Sequence, residues 1–481
     1  MVMDSLNVSR ASGSPDPLTI HYLEKLVKTG DTNQLNFELN NAPADIINEL
    51  FSHLPLSDVI NFTKIKNKRI YTLATNYIAT NLDRYLADSK IDEKLKANML
   101  TRFHSPEHNY FNNNYQEFKL LVKYDKADVI RDILKNNPTM DSDILQETFK
   151  IASYNGSSKV VKLLLADVRV DPSVRDNYAI KIASENGHAE VVKLLLKDKR
   201  VDPSAENNYA IRTASMYRHA EIVKLLLADK RVDPSAEDNY PIAAASEWGY
   251  AEVVKFLLVD KRVDPSARDN YPIAAASERG YAEVVKLLLA DKRVDPSAGN
   301  NSAIIETSRD GHAEVVKLLL VDERVDPSAK DNYAIRMASE NGHAEVVKLL
   351  LADKRVDPST NGNYAIIGAS GSGHAEAVKL LLADVRVDPS DRDNYAIKIA
   401  SEYGHVEVVK LLLEDERVDP SAEDNYAIKM AHKNGHTEVV KLLLEDKRVD
   451  PSAEDNYAIK MASMYGHAEV VKLLQNKPMR Q

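Results

Sequence analysis

Two groups of side chains able to ligate metal or move protons recur through this chain at fixed spacing. His188, His219, His312, His343, His374, His405, His436 and His467 fall on one 31-residue register. The carboxylates of Asp171, Asp202, Asp233, Asp264, Asp295, Asp326, Asp357, Asp388, Asp419 and Asp450 keep the same period, each followed by Pro-Ser. Neither group is expected to do chemistry. Side chains one period apart sit one structural layer apart, too far to share a metal ion with ligand bonds of about 2 Å. Asp before Pro-Ser suits a tight loop, in which the carboxylate accepts from nearby backbone amides and Pro fixes φ. No paired carboxylates, Ser-His-Asp set, phosphate-binding glycine loop or zinc-ligand spacing stands out. The absence of Cys removes thiolate nucleophiles, disulfides and Cys-ligated zinc. The expectation is a non-enzyme with no cofactor and no metal.

The elements that carry these residues follow from one period, Asp171 to Val201. A fixed repeat of this size with held apolar positions is the signature of stacked units rather than of one globular core. Ile180, Ala183 and Ser184 are spaced three and four apart on a short helix, with Asp176 or Asn177 as its cap and Gly187 as its stop. Val191, Val192, Leu194, Leu195 and Leu196 give a second helix a broad apolar face, with Glu190 and Lys193 on its wet side. Neither helix buries its stripe alone, so each unit completes its core with its neighbours.

From Tyr178 to Leu196 the chain reads Y-A-I-K-I-A-S-E-N-G-H-A-E-V-V-K-L-L-L, and Tyr240-Pro241-Ile242 and Tyr271-Pro272-Ile273 keep a proline after the tyrosine. This resembles the ankyrin repeat, whose frame is T-P-L-H-x-A-A-x-x-G-H-x-x-V-V-x-L-L-L. Tyr replaces the family's Thr in all regular copies but the one with Ser302, and Lys or Arg usually replaces its first His. The period is two residues short of the common ankyrin length, and the shortening falls in the connecting finger. The resemblance implies an all-α solenoid of about twelve units over residues 109–481, ten of them regular. Two degenerate copies, around Val129-Ile130-Ile133-Leu134 and from Glu147 to Leu165, precede the regular ones. It also implies that the recurring histidine makes structural hydrogen bonds between turns. The tyrosine ladder is expected to pack in the core against aliphatic neighbours. The mixed charges of the Asp-Lys-Arg loop are expected to form a solvated face.

Function should lie where the copies differ, and the most varied pair precedes the Gly-His step. In ankyrin proteins this pair lies on the concave, partner-reading side. The expected partner-binding residues are Tyr217, Glu247, Trp248, Arg279, Arg309, Tyr403 and Tyr465, because Trp, Tyr and Arg dominate protein-protein hot spots. The copy carrying Ser302, Glu306 and Thr307 is irregular and is expected to be a soft layer, since it loses a large residue and gains a charge.

Ahead of the array, residues 1–15 have the composition of a disordered tail, and residues 16–108 form a helical module with a linker. Leu18 to Val27 reads as an amphipathic helix closed by Gly30. Residues 43–69 read PADIINELFSHLPLSDVINFTKIKNKR. Here Pro43, Ile46, Ile47, Leu50, Phe51, Leu54, Pro55, Asp58 and Val59 follow the order of an F-box, without the tryptophan that often ends that motif. The similarity implies docking on the Skp-type adaptor of a cullin-RING ubiquitin ligase, and F-box with ankyrin repeats is a known adaptor layout in large DNA viruses and in eukaryotes. The alternative is a plain helical cap on the stack.

A net charge of −10 argues against a general nucleic-acid or anionic-membrane surface. The opening residues lack a signal-peptide pattern, and no apolar run is long enough to span a bilayer. The expectation is a monomer of the cytoplasm or nucleus, the host's for a viral protein. Its repeats would grip a protein target that the N-terminal segment delivers to the ligase.

Overall fold

The computed structural model describes residues 17–29, 44–54, 68–81, 112–449 and 460–475, with 35, 39, 42, 58, 59, 62, 93, 94, 96 and 97 besides. Every regular element among the described residues is helical, as the repeat pattern predicts. The expected tail at 1–15, the helix stop Gly30, Pro43, Pro55, and the last loop with Asp450 and Tyr457 lie outside the described residues. Contacts divide the chain into two compact units, Met1–Asp202 and Pro203–Gln481.

The first unit opens with α1 (Pro17–Thr29), α2 (Ala44–His53) and α3 (Lys68–Thr80). Ile20, Leu23 and Leu26 line the buried side of α1, as their spacing requires. Helix α2 packs on both α1 and α3. Its Phe51 meets the Phe62 ring at 5.2 Å and the Tyr77 ring at 5.5 Å, and an Arg69 guanidinium nitrogen donates to the Ala42 carbonyl at 2.6 Å. Three helix pairs follow: α4 (Asn112–Lys123) with α5 (Ala127–Asn136), α6 (Ser142–Asn155) with α7 (Ser158–Leu165), and α8 (Val174–Glu185) with α9 (Ala189–Lys197). The first two are the degenerate copies.

The second unit repeats the pair. Its first helices are α10 (Ala205–Met216), α12 (Ala236–Glu247), α14 (Ala267–Glu278), α16 (Ala298–Arg309), α18 (Ala329–Glu340), α20 (Thr360–Gly371), α22 (Asp391–Tyr403) and α24 (Ala422–Asn434). Its second helices are α11 (Ala220–Leu227), α13 (Ala251–Val259), α15 (Ala282–Leu289), α17 (Ala313–Val321), α19 (Ala344–Ala352), α21 (Ala375–Leu382), α23 (Val406–Glu414) and α25 (Thr437–Glu445), with α26 (Ala468–Gln475) after them. First helices pack on first helices and second on second. In α15, Val284, Val285 and Leu288 are buried while Glu283 and Lys286 stay exposed.

The connecting finger departs from the sequence reading. Asp176 and Asn177 do not cap a helix; with Arg175 they make a left-handed turn, φ 52° to 60°, before the right-handed helix begins. The same three-residue turn recurs in each regular copy of the second unit from Glu206–Asn208 to Glu423–Asn425. A left-handed residue costs about 1–2 kcal/mol except where Gly, Asn or Asp occupies it. The second and third positions of the turn are indeed always Asp, Asn or Gly. The third Asn is buried and has a further role: the Asn177 side-chain oxygen accepts from the Asp202 amide at 2.7 Å, and Asn239 from the Asp264 amide at 2.7 Å.

The loop arginine lies on the exposed face that its mixed charges imply, and it is also a staple. Arg262 donates to the Val232 carbonyl at 2.6 Å and the Leu227 carbonyl at 3.1 Å, both in the preceding copy, while the Asp260 carboxylate holds its other edge. Arg293, Arg355, Arg386 and Arg417 repeat the arrangement. The hydrogen bond from Arg262 holds the Asp260 carboxyl below the ordinary carboxylate range.

Candidate protein-binding site

The residues read as possible chemistry are committed to structure. Ser173 donates its amide at 2.9 Å and its hydroxyl at 2.6 Å to Asp171, the turn chemistry its Pro-Ser context implies. His188 lies 2.8 Å by Nε2 from the Tyr154 carbonyl, and His436 lies 2.9 Å from that of Glu402. A carbonyl only accepts, so Nε2 carries the hydrogen. Each ring lies over the glycine of the preceding copy. Gly280 has φ +75°, and a Cβ there would come 2.5 Å from His312 Nδ1. Both the conformation and the ring therefore favour glycine, although Arg218 takes the same left-handed conformation in its copy, φ 67°, with its guanidinium 6.0 Å from the Tyr250 ring.

The varied pair ahead of this step is on the surface. Trp248 is 48 % exposed, Tyr403 59 %, and Tyr217 and Tyr465 nearly as open, all at a position where the other copies carry Asn, Arg, Asp or Ser. Trp248, Glu247 and Arg279 come together. The Arg279 guanidinium sits 5.0 Å over the indole and donates to Glu247 at 2.8 Å, while the Tyr271 hydroxyl donates to the other Glu247 oxygen at 3.1 Å. Partial burial, and then the bond to Glu247, raise the Tyr271 phenol above its ordinary pKa. Arg309 is taken up within its own helix end, paired with Glu306 and, at 2.8 Å, with Asp310. The Tyr403 ring lies 6.2 Å from that of His405. Tyr154, also exposed, occupies the first position of the pair in the first unit, the register of Glu247 and Glu402. It was missed because its copy is degenerate, although Gly156 two residues on marks the step.

The tyrosine ladder is not core. Its rings are half-buried or exposed, and in the copies that carry Lys or Arg three positions on, that cation accounts for it. Arg336 lies 5.1 Å from the Tyr333 ring and 5.2 Å from the Tyr364 ring of the next copy. Arg212 bridges Tyr209 and Tyr240 at 5.8 and 6.0 Å, and Lys398 bridges Tyr395 and Tyr426 at 5.6 and 5.7 Å. These rings are packed on cations, each at cation-π distance. This is where the Lys or Arg replacing the frame's first His goes.

The irregular copy keeps its helix, Ala298–Arg309. Thr307 is buried, Ile305 fills the cation's position, and the charge of half-buried Glu306 is met by Arg309.

In the N-terminal module, Ile46, Ile47, Leu50, Phe51, Leu54 and Val59 are all buried. They hold the helices of the module to one another, and Asp58 is half-buried. A partner would meet the other side of α2, where Asn48, Glu49, Ser52 and His53 are exposed.

Comparison with protein families matches the chain to ankyrin repeats, described as three copies, over residues 149–238, 241–331, 335–424 and 399–480. With the helix pairs and the Gly-His contacts in hand, the chain belongs to the ankyrin-repeat family. No curated protein matches it. Ankyrin repeats bind protein partners, and no helix among the described residues is long and apolar enough to cross a membrane.

Proposed function

We propose that this chain is a non-enzymatic adaptor that grips a partner protein with the exposed pair ahead of each Gly-His step. The observation that carries this reading is the cluster of Trp248, Glu247 and Arg279. A large exposed indole is held flat by a cation that is itself pinned by a carboxylate, so little side-chain freedom is lost on contact. Tyr217, one copy earlier, extends the same row. The test is affinity capture with the full chain beside Trp248→Ala and Arg279→Glu, with Lys286→Ala on the second-helix surface as control. Proteins held through this face are expected to bind about thirtyfold more weakly to Trp248→Ala, the loss of a hot-spot residue. Equal retention by all variants would sink the reading.

The order of residues from Asp45 to Val59 supports a further step, in which residues 43–69 bring the partner to a Skp-type adaptor of a ubiquitin ligase, the chain acting as a monomer in the cytoplasm or nucleus. Proximity alone would then be the mechanism, by raising the local concentration of target lysines. Because Leu54 is buried, Leu54→Asp would report on folding; the double variant Asn48→Arg, Ser52→Arg leaves the core intact. Saturable binding of the full chain to a Skp-type adaptor, lost in that variant, is the expected result. No binding by wild type would leave an ankyrin scaffold with a helical cap.

A further inference from the structure

Where a copy carries the cation, Arg212, Arg336 and Lys398 each lie between two tyrosine rings; Lys150 has a ring on one side and a cavity on the other. Between α6 and α8 the first unit encloses about 480 Å³, walled by Gln146, Glu147, Lys150, Pro172, Arg175 and Tyr178. In the register of the regular copies, Lys150 stands where Arg212, Arg336 and Lys398 stand, and Glu147 stands where each of those cations has its own tyrosine. Lys150 retains the following ring, Tyr178, at 5.7 Å. On its other side it has only a 3.4 Å contact to Glu147, a side chain 47 % exposed. The copy with Ser302 also lacks its ring, but there Ile305 replaces the cation and is itself buried, so no open half-step remains. At the cavity the side-chain oxygen of Gln146 is out of water and has no hydrogen-bond partner.

We infer that this cavity receives an aromatic side chain, tyrosine or phenylalanine, from an extended segment of a partner protein. The incoming ring takes the place that Tyr333 takes under Arg336, completing the sandwich around Lys150. The Glu147 and Asp143 carboxylates at the rim favour a basic neighbour in that segment. This site belongs to the first unit and does not depend on the Trp248 row.

The probe is p-cresol, the tyrosine side chain, followed by saturation-transfer NMR on the full chain, with cyclohexanol as a non-aromatic control. Saturable p-cresol binding with a Kd on the order of millimolar is expected, as for a fragment of this size. The signal should fall at least tenfold in Glu147→Tyr, which fills the step from within, and should be unchanged in Ser302→Tyr. If Glu147→Tyr does not fold, Tyr178→Leu decides equally, since it keeps most of the volume and removes the ring. Absence of saturation in wild type, equal binding of cyclohexanol, or p-cresol binding undiminished by the variant would each overturn the proposal.

Discussion

At position 432 the array carries His where the regular copies otherwise carry Ser, from Ser184 to Ser401 and at Ser463. His432 is fully buried and neither ring nitrogen has a hydrogen-bond partner. Burial disfavours the charged form and lowers its pKa from 6.5 to about 3. The unfolded chain therefore takes up a proton here below its ordinary pKa while the folded chain does not. The contribution of the neutral side chain is complete above about pH 6.5 and is lost as pH falls towards 3, at about 1.4 kcal/mol per unit. At pH 5 the layer should be weaker by about 2 kcal/mol. Hydrogen exchange of residues 422–434 is expected to accelerate between pH 6.5 and 5, after correction for intrinsic rates, relative to residues 329–340. His432→Ser should abolish that difference. The Asp-Arg staples fail in a separate window: Asp260 and its equivalents have lowered pKa values, so their contribution holds above the ordinary carboxylate range and disappears only below it. An acid transition shared by every copy near neutrality would contradict this assignment.

The finger joining one pair to the next shows how much of an element was written in the chain and how much was not. Alternation of small residues and leucines specified both helices, because burial on one face leaves a period that can be counted, and Ile180, Ala183, Val191, Val192 and Leu195 are all buried. The finger carries no such period. Its order comes from single polar atoms meeting backbone groups of another copy, and such a partner is not visible in a linear string. Asp-Lys-Arg looks the same whether its arginine is free or holds the Val232 carbonyl; Asn before Tyr looks like a cap whether or not its oxygen crosses to Asp264. The tyrosines misled for a related reason, since an aromatic row suggests a core until the cation three residues on is placed between two rings. Two substitutions separate the forces in the finger. Asn239→Gly keeps the left-handed turn and loses the hydrogen bond, and should cost about 1 kcal/mol. Asn239→Ala loses both and should cost about 2–3 kcal/mol. Equal midpoints in urea for the two variants would mean that the turn itself is not under strain. Arg262→Ala removes two carbonyl contacts to the preceding copy and should cost about 1–2 kcal/mol, with faster exchange at the Val232 turn.

Across a whole unit, each pair of helices touches only its neighbours, so stability is a sum of units and of the interfaces between them. Removing Asp326–Val356 excises one period and joins Val325 to Asp357, a junction every other copy also makes. The helix Ala298–Arg309 then meets Thr360–Gly371 through the same buried Ile, Ala and Ser positions that it presents to Ala329–Glu340. The cation of Arg336 is lost with its copy, which leaves Tyr364 without its partner. The shortened chain should therefore fold with unchanged helicity per residue, and with a urea midpoint lower by no more than the share of one copy and one cation-π contact. Removing half a period instead should unfold the copies beside the cut, because it sets a first helix against a second. The deletion also serves as a ruler for binding. Tyr217, Trp248 and Arg279 stay on consecutive copies, whereas Tyr403 moves one copy closer to them. A partner gripped by the Trp248 cluster should keep its affinity within about threefold, while one that also needs Tyr403 should lose at least tenfold, since an anchor displaced by a helix-packing distance of roughly 10 Å makes no contact. The cluster is contiguous and held by its own Arg279 and Glu247, so retained affinity is the expected result, measured by titrating the captured partner against both chains.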